Sequence, residues 1–197
     1  MANSISSVTT GTGGIVLESV DTSGNTNIKS GTTTIVAVSS TGAAVTGTLS
    51  ASGGIAKASL PTGSVLQVVS ATYSTATSSS SASYVDTGIT ATITPTSATS
   101  KILCIVTHGD VAKSGSDTYA SIKLLRAGST IMQPNLYTLS TSSTLQQIQS
   151  QTTIYLDSPA TTSATIYKTQ FATAGSGAVV LFQSSTTGSI TLMEIAA

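Results

Sequence analysis

Between Tyr84 and Val106 the chain reads YVDTGITATITPTSATSKILCIV, and this stretch constrains the fold more than any other. Ile89, Ala91 and Ile93 alternate with Thr90, Thr92 and Thr94. That period of two sends one set to each side of a strand, with β-branched residues in both. Pro95 has no N–H to give a sheet ladder and ends the run, and Thr96–Ser100 supplies turn residues. Ile102 to Val106 is then apolar without a break, which predicts a strand covered on both faces. The pair is expected at the centre of an all-β domain.

Further strands are expected at Val65–Tyr73, Tyr119–Arg126, Thr130–Met132, Leu145–Leu156, Ala164–Ala172, Ala178–Phe182 and Ile190–Ile195. Ala127–Gly128–Ser129 reads as a hairpin turn, and residues 74–83 and Gly109–Asp117 read as polar loops. Thr144–Ser150 is compatible with a helix, but its Thr and Ile neighbours favour strand. Eight or more strands with no helical period indicate an antiparallel β-sandwich of jelly-roll type.

Residues 1–60 hold 9 of the 17 glycines and none of the 8 aromatics, which sets a boundary between 1–60 and 61–197. The first part offers Ile15–Leu17, Ile35–Val38 and Val45–Leu49 as short strands among DTSGNTN, SSTG and SASGG turns. Sixty residues without an aromatic bury little area. The segment is therefore either a flexible Gly/Ser/Thr arm or an extended β shaft whose apolar residues meet their own copies around an axis. The spacing of Ile15, Val16, Leu17, Ile35, Val36, Val38, Val45 and Leu49 favours the shaft, since a linker needs no such residues. Residues 1–12 are expected to dock on another protein.

Composition removes several functions. Only 7% of residues are charged and the net charge is zero, so there is no electrostatic footprint for nucleic acid. The 35 Ser and 37 Thr place hydroxyls where solvent faces ordinarily carry charge. Near-zero charge promotes association. No apolar run reaches membrane-spanning length, and MANSISSVTTGTGG has neither the basic nor the apolar region of a signal peptide. Cys104, alone of its type, excludes an intrachain disulfide.

The candidate chemistry is thin. His108–Gly109–Asp110 could set an imidazole beside a carboxylate, but no hydroxyl stands in a G-x-S-x-G context, and a strand end entering a loop explains the three residues. Three His108 side chains on a trimer axis could meet a metal, yet no second ligand is near in sequence. Cys104 lies in the most apolar run and reads as a small buried hydrophobe. Asp110 and Asp117 do not match a calcium-loop spacing. Seven acids and no Trp argue against a sugar-cleaving enzyme. Tyr119, Tyr155 and Tyr167 are expected to pack with their hydroxyls at the rim, while Tyr84 and Tyr137, near loops, could touch a glycan or protein. No catalytic, cofactor-binding or metal residue is assigned.

LPTGSVLQVVS, DTGITATITPTSATSKILCIV, DSPATTSATIYKTQF and the final SITLMEIAA resemble a C-terminal β-sandwich module of phage virion proteins, found in marine cyanophage- and pelagiphage-like phages, where it caps fibre-like structural proteins. SSTGAAVTGTLSASGGI is similar to the fibre-shaft sequence of the same proteins. The resemblance implies a virion structural role and commonly a homotrimer; it carries no ligand and no functional residues. The chain shows no long N-terminal adaptor like that of large tail fibres, which tilts the expectation towards a head fibre or capsid decoration. The expected partners are copies of the chain, a capsid or tail protein met through the N-terminus, and a host surface glycan. Neither nucleic acid nor membrane insertion is expected. The alternative is a carbohydrate-binding receptor-recognition module of a tail fibre.

Overall fold

The computed structural model describes residues 26–30, 33–39, 42–46, 48, 54–113, 118–141, 149–174, 180–182 and 186–197. The chain divides into two compact units, Met1–Ile55 and Ala56–Ala197. The expected strand Ile15–Leu17 and the docking segment 1–12 lie outside the described residues.

In the first unit β1 (Thr26–Ser30), β2 (Thr33–Ser39) and β3 (Gly42–Val45) form an antiparallel meander in that order. The strand expected over Val45–Leu49 lies earlier than its apolar residues suggest: β3 ends at Val45. It starts at Gly42 because Gly42, Ala43 and Ala44 pair with Ser39, Val38 and Ala37. β1 is polar enough to pass for a turn; pairing with β2 makes it a strand.

The second unit contains β4 (Val65–Tyr73), β5 (Thr77–Ser79), β6 (Val85–Ile93), β7 (Lys101–Lys113), β8 (Thr118–Arg126), β9 (Ser129–Thr141), β10 (Gln149–Asp157), β11 (Thr165–Ala174), β12 (Val180–Phe182) and β13 (Gly188–Ile195). One sheet joins β4, β13, β7, β12 and β5, with β10 also on β7; the other runs β6-β11-β8-β9. Val111 pairs with both Gln149 and Phe182, and Thr107 with both Thr152 and Ser189. A strand has only two edges, so β12 and β13 share one edge of β7 and β10 takes the other. β12 and β13 thus form one interrupted lane, and β4 and β5, which pair with them, form another. Counted in chain order there are eight lanes. The sheets read 1-8-3-6 and 2-7-4-5, the order produced by folding two Greek keys into a jelly roll. All of the pairings are antiparallel.

The core fills the space between the sheets. Ile89, Ile93, Ile102, Val106, Leu124, Tyr167, Ile190 and Leu192 pack together with Cys104, and Phe171 joins Val111, Ala120 and Ile122 nearby. Each fully buried aliphatic side chain contributes about 1.5–3 kcal/mol. β6 alternates as its sequence demands, with Ile89, Ala91 and Ile93 inward, and ends before Pro95. β7 differs from expectation. Ile102, Cys104 and Val106 are fully buried, but Leu103 and Ile105 are only half-buried, so one face of β7 is covered and the other is open.

Three stretches expected as loops or short strands are longer ladders. β7 continues through Gly109 to Lys113, because β10 and β12 offer it partners on both edges. Residues 114–117 lie outside the description. β5 arises within the Ser/Thr/Ala stretch because a backbone ladder to β12 needs no apolar side chain. β9 extends past Pro134 to Thr141; it is an edge strand with irregular register, where a missing N–H is tolerated. The start of the expected Leu145–Leu156 strand falls among residues 142–148, outside the description; β10 begins at Gln149. The hairpin turn stands where it was expected: Ala127 and Gly128 both have positive φ, 47° and 87°, which suits the twist of a two-residue β-hairpin.

Candidate functional site

Asp157 sits at the inward end of β10 and joins the two sheets. Arg126 Nη1, from β8, donates to both of its oxygens at 2.8 and 2.9 Å. Tyr167, from β11, donates its hydroxyl to Oδ2 at 2.6 Å. Period two places Asp157 on the same side as Thr153 and Tyr155, so an acid in the inward register was the readable signal. The expectation for Tyr167 is corrected: its hydroxyl is not at the rim but 0% exposed in the core, because Asp157 satisfies it there. Burial, and then that hydrogen bond, push the phenol's pKa up. Two donors make three hydrogen bonds to this one carboxylate and tie β10 of the first sheet to β8 and β11 of the second.

His108 and Asp110 are 0% and 2% exposed, inside the sandwich and on a continuous strand. The expected strand end at His108 is thus a strand interior. Burial pushes the His108 pKa down to about 4, so the imidazole is neutral at pH 7. Ser150 Oγ donates to the His108 carbonyl at 3.1 Å, tying β10 to β7. Cys104 is 0% exposed; burial, helped by the Asp157 charge, pushes its thiol up to about 12, far from a reactive thiolate. Asp117 and the side chain of Tyr137 lie outside the described residues. Among the described residues no group of three or more His, Cys, Asp or Glu could hold a metal ion.

Glu194, on β13, is a third buried acid, after Asp157 and Asp110. Thr96 donates to Oε1 through its backbone N–H and its hydroxyl, both at 2.7 Å, and Gln67 Nε2 donates to Oε2 at 2.6 Å. Burial alone would raise its pKa; the hydrogen bonds from Thr96 and Gln67 outweigh that and hold it below the usual carboxylate value. Beside it lies a cleft of about 420 Å³ lined by Lys57, Leu60, Leu66, Thr96, Ser97, Thr99, Ser100, Ala196 and Ala197. The cleft offers hydroxyls and one ammonium, and no aromatic platform.

Tyr84, a candidate for outside contact, is engaged within the fold. Its hydroxyl lies 2.6 Å from Ser121 Oγ, Gln133 Nε2 donates to it at 2.8 Å, and the Lys123 ammonium stands 4.0 Å over its ring.

The remaining features are surfaces. The outward face of the second sheet carries Asp86, which accepts from Lys168 at 2.9 Å and from Gln170 at 2.7 Å. The outward face of the first sheet is different. Leu156, Leu103, Met193 and Val68 stand opposite one another across four strands, and Ile154 and Ile105 continue them in the next row. A third pairing adds Val65 and Ile195 beside Lys101. Ile154 is 61% exposed, Val68 54%, Val65 50% and Leu156 48%. Further along, Thr152, Thr107, Ser189 and Thr72 replace these apolar residues. In the first unit the register puts Ile28, Val36 and Val45 in one cross-strand row, with Val38 on the same face two residues along β2. Ile28, Val38 and Val45 are 44%, 43% and 38% exposed.

The strand order places the second unit among jelly-roll β-sandwiches. No family model matches the chain, and no curated protein matches it. Among solved structures it is similar to VP2 of infectious bursal disease virus in a subviral particle, at 12% identity and a TM-score of 0.36 over 68% of this chain and 38% of that one. It is also similar to a T=1 particle derived from infectious bursal virus, at 12% identity and a TM-score of 0.32 over 68% and 37%. The chain spans less than half the length of either neighbour.

Proposed function

We propose that the chain is a non-enzymatic structural protein of a bacteriophage virion. In this reading it is a homotrimeric fibre or capsid decoration, with the first unit as shaft and the jelly roll as head. The observation that carries the reading is the three-stranded sheet of the first unit, whose apolar face is open in a single chain. A lone three-stranded sheet with a wet apolar face is marginal. Copies arranged around an axis would cover that face and close a heterologous interface on itself. The sequence resemblance to phage fibre proteins supports the same reading. Jelly rolls serve in viral capsids, but also in lectins and cupins, so fold analogy alone would not decide. Residues 1–12 would anchor the particle end, and many weak contacts from many heads would give avidity to host attachment.

Light scattering of the purified chain should give three times the 19.5 kDa of one chain. A monomer at every concentration would overturn the shaft. Antibody raised against residues 56–197 should label intact particles in electron micrographs, at the head or the tail; unlabelled particles would overturn the virion reading. The hydroxyl-lined cleft beside Glu194 favours one second reading, a receptor-binding module for a small polar sugar. Glycan-array silence would dispose of it.

A further inference from the structure

We infer that the buried carboxylate of Glu194 is a latch on the turn between β6 and β7: without it, residues 96–99 swing open while the jelly roll stays folded. The latch lies within the second unit and depends on neither reading of function given above. Residues 94–100 carry the chain from β6 in one sheet to β7 in the other. Thr96 donates to Glu194 Oε1 through its N–H and its hydroxyl, both at 2.7 Å. Gln67 Nε2 donates to Glu194 Oε2 at 2.6 Å and to the Thr94 carbonyl at 2.7 Å. Among the described residues, every side-chain hydrogen bond that ties 94–100 to another element ends on Glu194 or Gln67.

The turn keeps a shape of its own. The Ser100 N–H donates to the Ser97 carbonyl at 3.2 Å, and the Thr99 N–H donates to Ser97 Oγ at 3.2 Å. The hydroxyls of Ser97 and Thr99 lie 2.8 Å apart. Pro95 and Ser100 are buried at the two ends. Between them Thr96, Ala98 and Thr99 are exposed and Ser97 is half-buried, so little apolar area holds the middle down. A segment bonded to itself, pinned at both ends and tied through one carboxylate opens as a unit when that carboxylate is lost.

The tie is strong because its acceptor is ionised, and hydrogen bonds to a charged group are roughly twice as strong as neutral ones. No other charge shares the work. Glu194 stands in register with Gln67 on β4 and Ile102 on β7, and neither titrates. The turn offers only hydroxyls besides Pro95 and Ala98. Lys101 stands opposite Ile195, and Lys57 lines the neighbouring cleft; among the described residues neither makes an ion pair with Glu194. The hydrogen bonds themselves hold the Glu194 pKa below its ordinary 4.5. Above that range the latch is shut. As pH falls through the lowered pKa, the carboxyl gains a proton, loses acceptor strength and releases the turn.

Release has a consequence for the cleft beside Glu194. Thr96, Ser97, Thr99 and Ser100 form one of its walls, facing Lys57, Leu60, Leu66, Ala196 and Ala197. The wall that moves is therefore the hydroxyl-bearing one, and the cleft widens when the latch opens.

The test is amide hydrogen exchange, read residue by residue in the full chain at neutral pH. Glu194→Leu keeps the volume of a fully buried side chain and removes every acceptor. Exchange of the Thr96 amide should speed up by about ten- to a hundredfold in this variant, and that of the Val106 amide, in the core of β7, by less than about threefold. Glu194→Gln, which keeps one acceptor oxygen, should lie between wild type and Glu194→Leu. Equal acceleration at Thr96 and Val106 would mean that Glu194 supports the whole sandwich, and would overturn the latch. An unchanged Thr96 amide would overturn it too. Should the variants not fold, the wild-type chain is titrated with acid. The Thr96 amide resonance should then shift with the Glu194 carboxyl while the Val106 resonance stays in place. A Thr96 resonance that moves only when the sandwich unfolds would overturn the inference.

Discussion

The two outward faces of the jelly roll are built from the same kind of strand and finished differently. On the second sheet, Asp86, Lys168 and Gln170 form a hydrogen-bonded group in water, and Lys123 lies over the Tyr84 ring. On the first, Leu156, Leu103, Met193 and Val68 form one apolar row, Thr191 and Ser70 complete the next beside Ile154 and Ile105, and Lys101 stands at the edge. In a chain with 7% charged residues, the few charges are not spread evenly. Period two alone would make both faces polar, since both sheets already bury their other side. On the first sheet a row of apolar side chains stands partly exposed in the single chain.

That contrast depends on the sheets being held together, so the largest effect is expected at the bridge between them. Asp157→Ala leaves the buried Tyr167 hydroxyl without its acceptor and the Arg126 guanidinium with only the Ser158 carbonyl, at 3.2 Å. It should destabilise the chain by about 3 kcal/mol in urea unfolding, most of it from the stranded Tyr167 hydroxyl. Acid should act next. His108 has its pKa lowered to about 4 in the folded chain from an ordinary 6.5, so the unfolded chain takes up the proton first. Stability is therefore full above pH 6.5, falls as pH drops from about 6.5 to 4, and is then lower by a constant amount on the order of 3 kcal/mol. In His108→Gln that slope should vanish, as measured by urea titrations at several pH values. Asp86 and Glu194, held below their usual values, add a further loss only at lower pH.

The two faces themselves are compared by smaller changes. Ile154→Thr should alter the stability of one chain by less than about 1 kcal/mol, because β-propensity is retained at an exposed site. Lys168→Ala on the other sheet removes an exposed ion pair and should cost no more than about 0.5 kcal/mol. Urea unfolding checks both, and a larger loss in Lys168→Ala than in Ile154→Thr would reverse that order.

The sandwich was legible because its core strands alternate strictly, as Ile89–Ile93 and Ile190–Leu192 do. What stayed hidden has a common cause. β1 and β5 contain little but Thr, Ser, Asn and Lys around an occasional Ile, and become strands through backbone pairing with β2 and β12. Lane order depends on partners far apart in sequence, such as Val68 with Met193, and no local pattern encodes that distance. Asp157 and Glu194 carry no local mark of burial; only the filled core shows that both point inward and accept hydrogen bonds there. The open side of β7 was misread because an unbroken apolar run looks the same whether its second face meets its own core or nothing within the chain.

β4 and β13 lie side by side, and the Gly63 N–H donates to the Ala196 carbonyl at 2.8 Å while the Ala196 N–H donates to that of Ser64 at 2.9 Å. The incoming and outgoing strands of the jelly roll are thus stapled to each other. The connections that follow β5, β7, β9 and β11 all leave from the far end. With that staple, opening of β4 breaks bonds that β13 needs, so the first and last strands of the jelly roll should fray together.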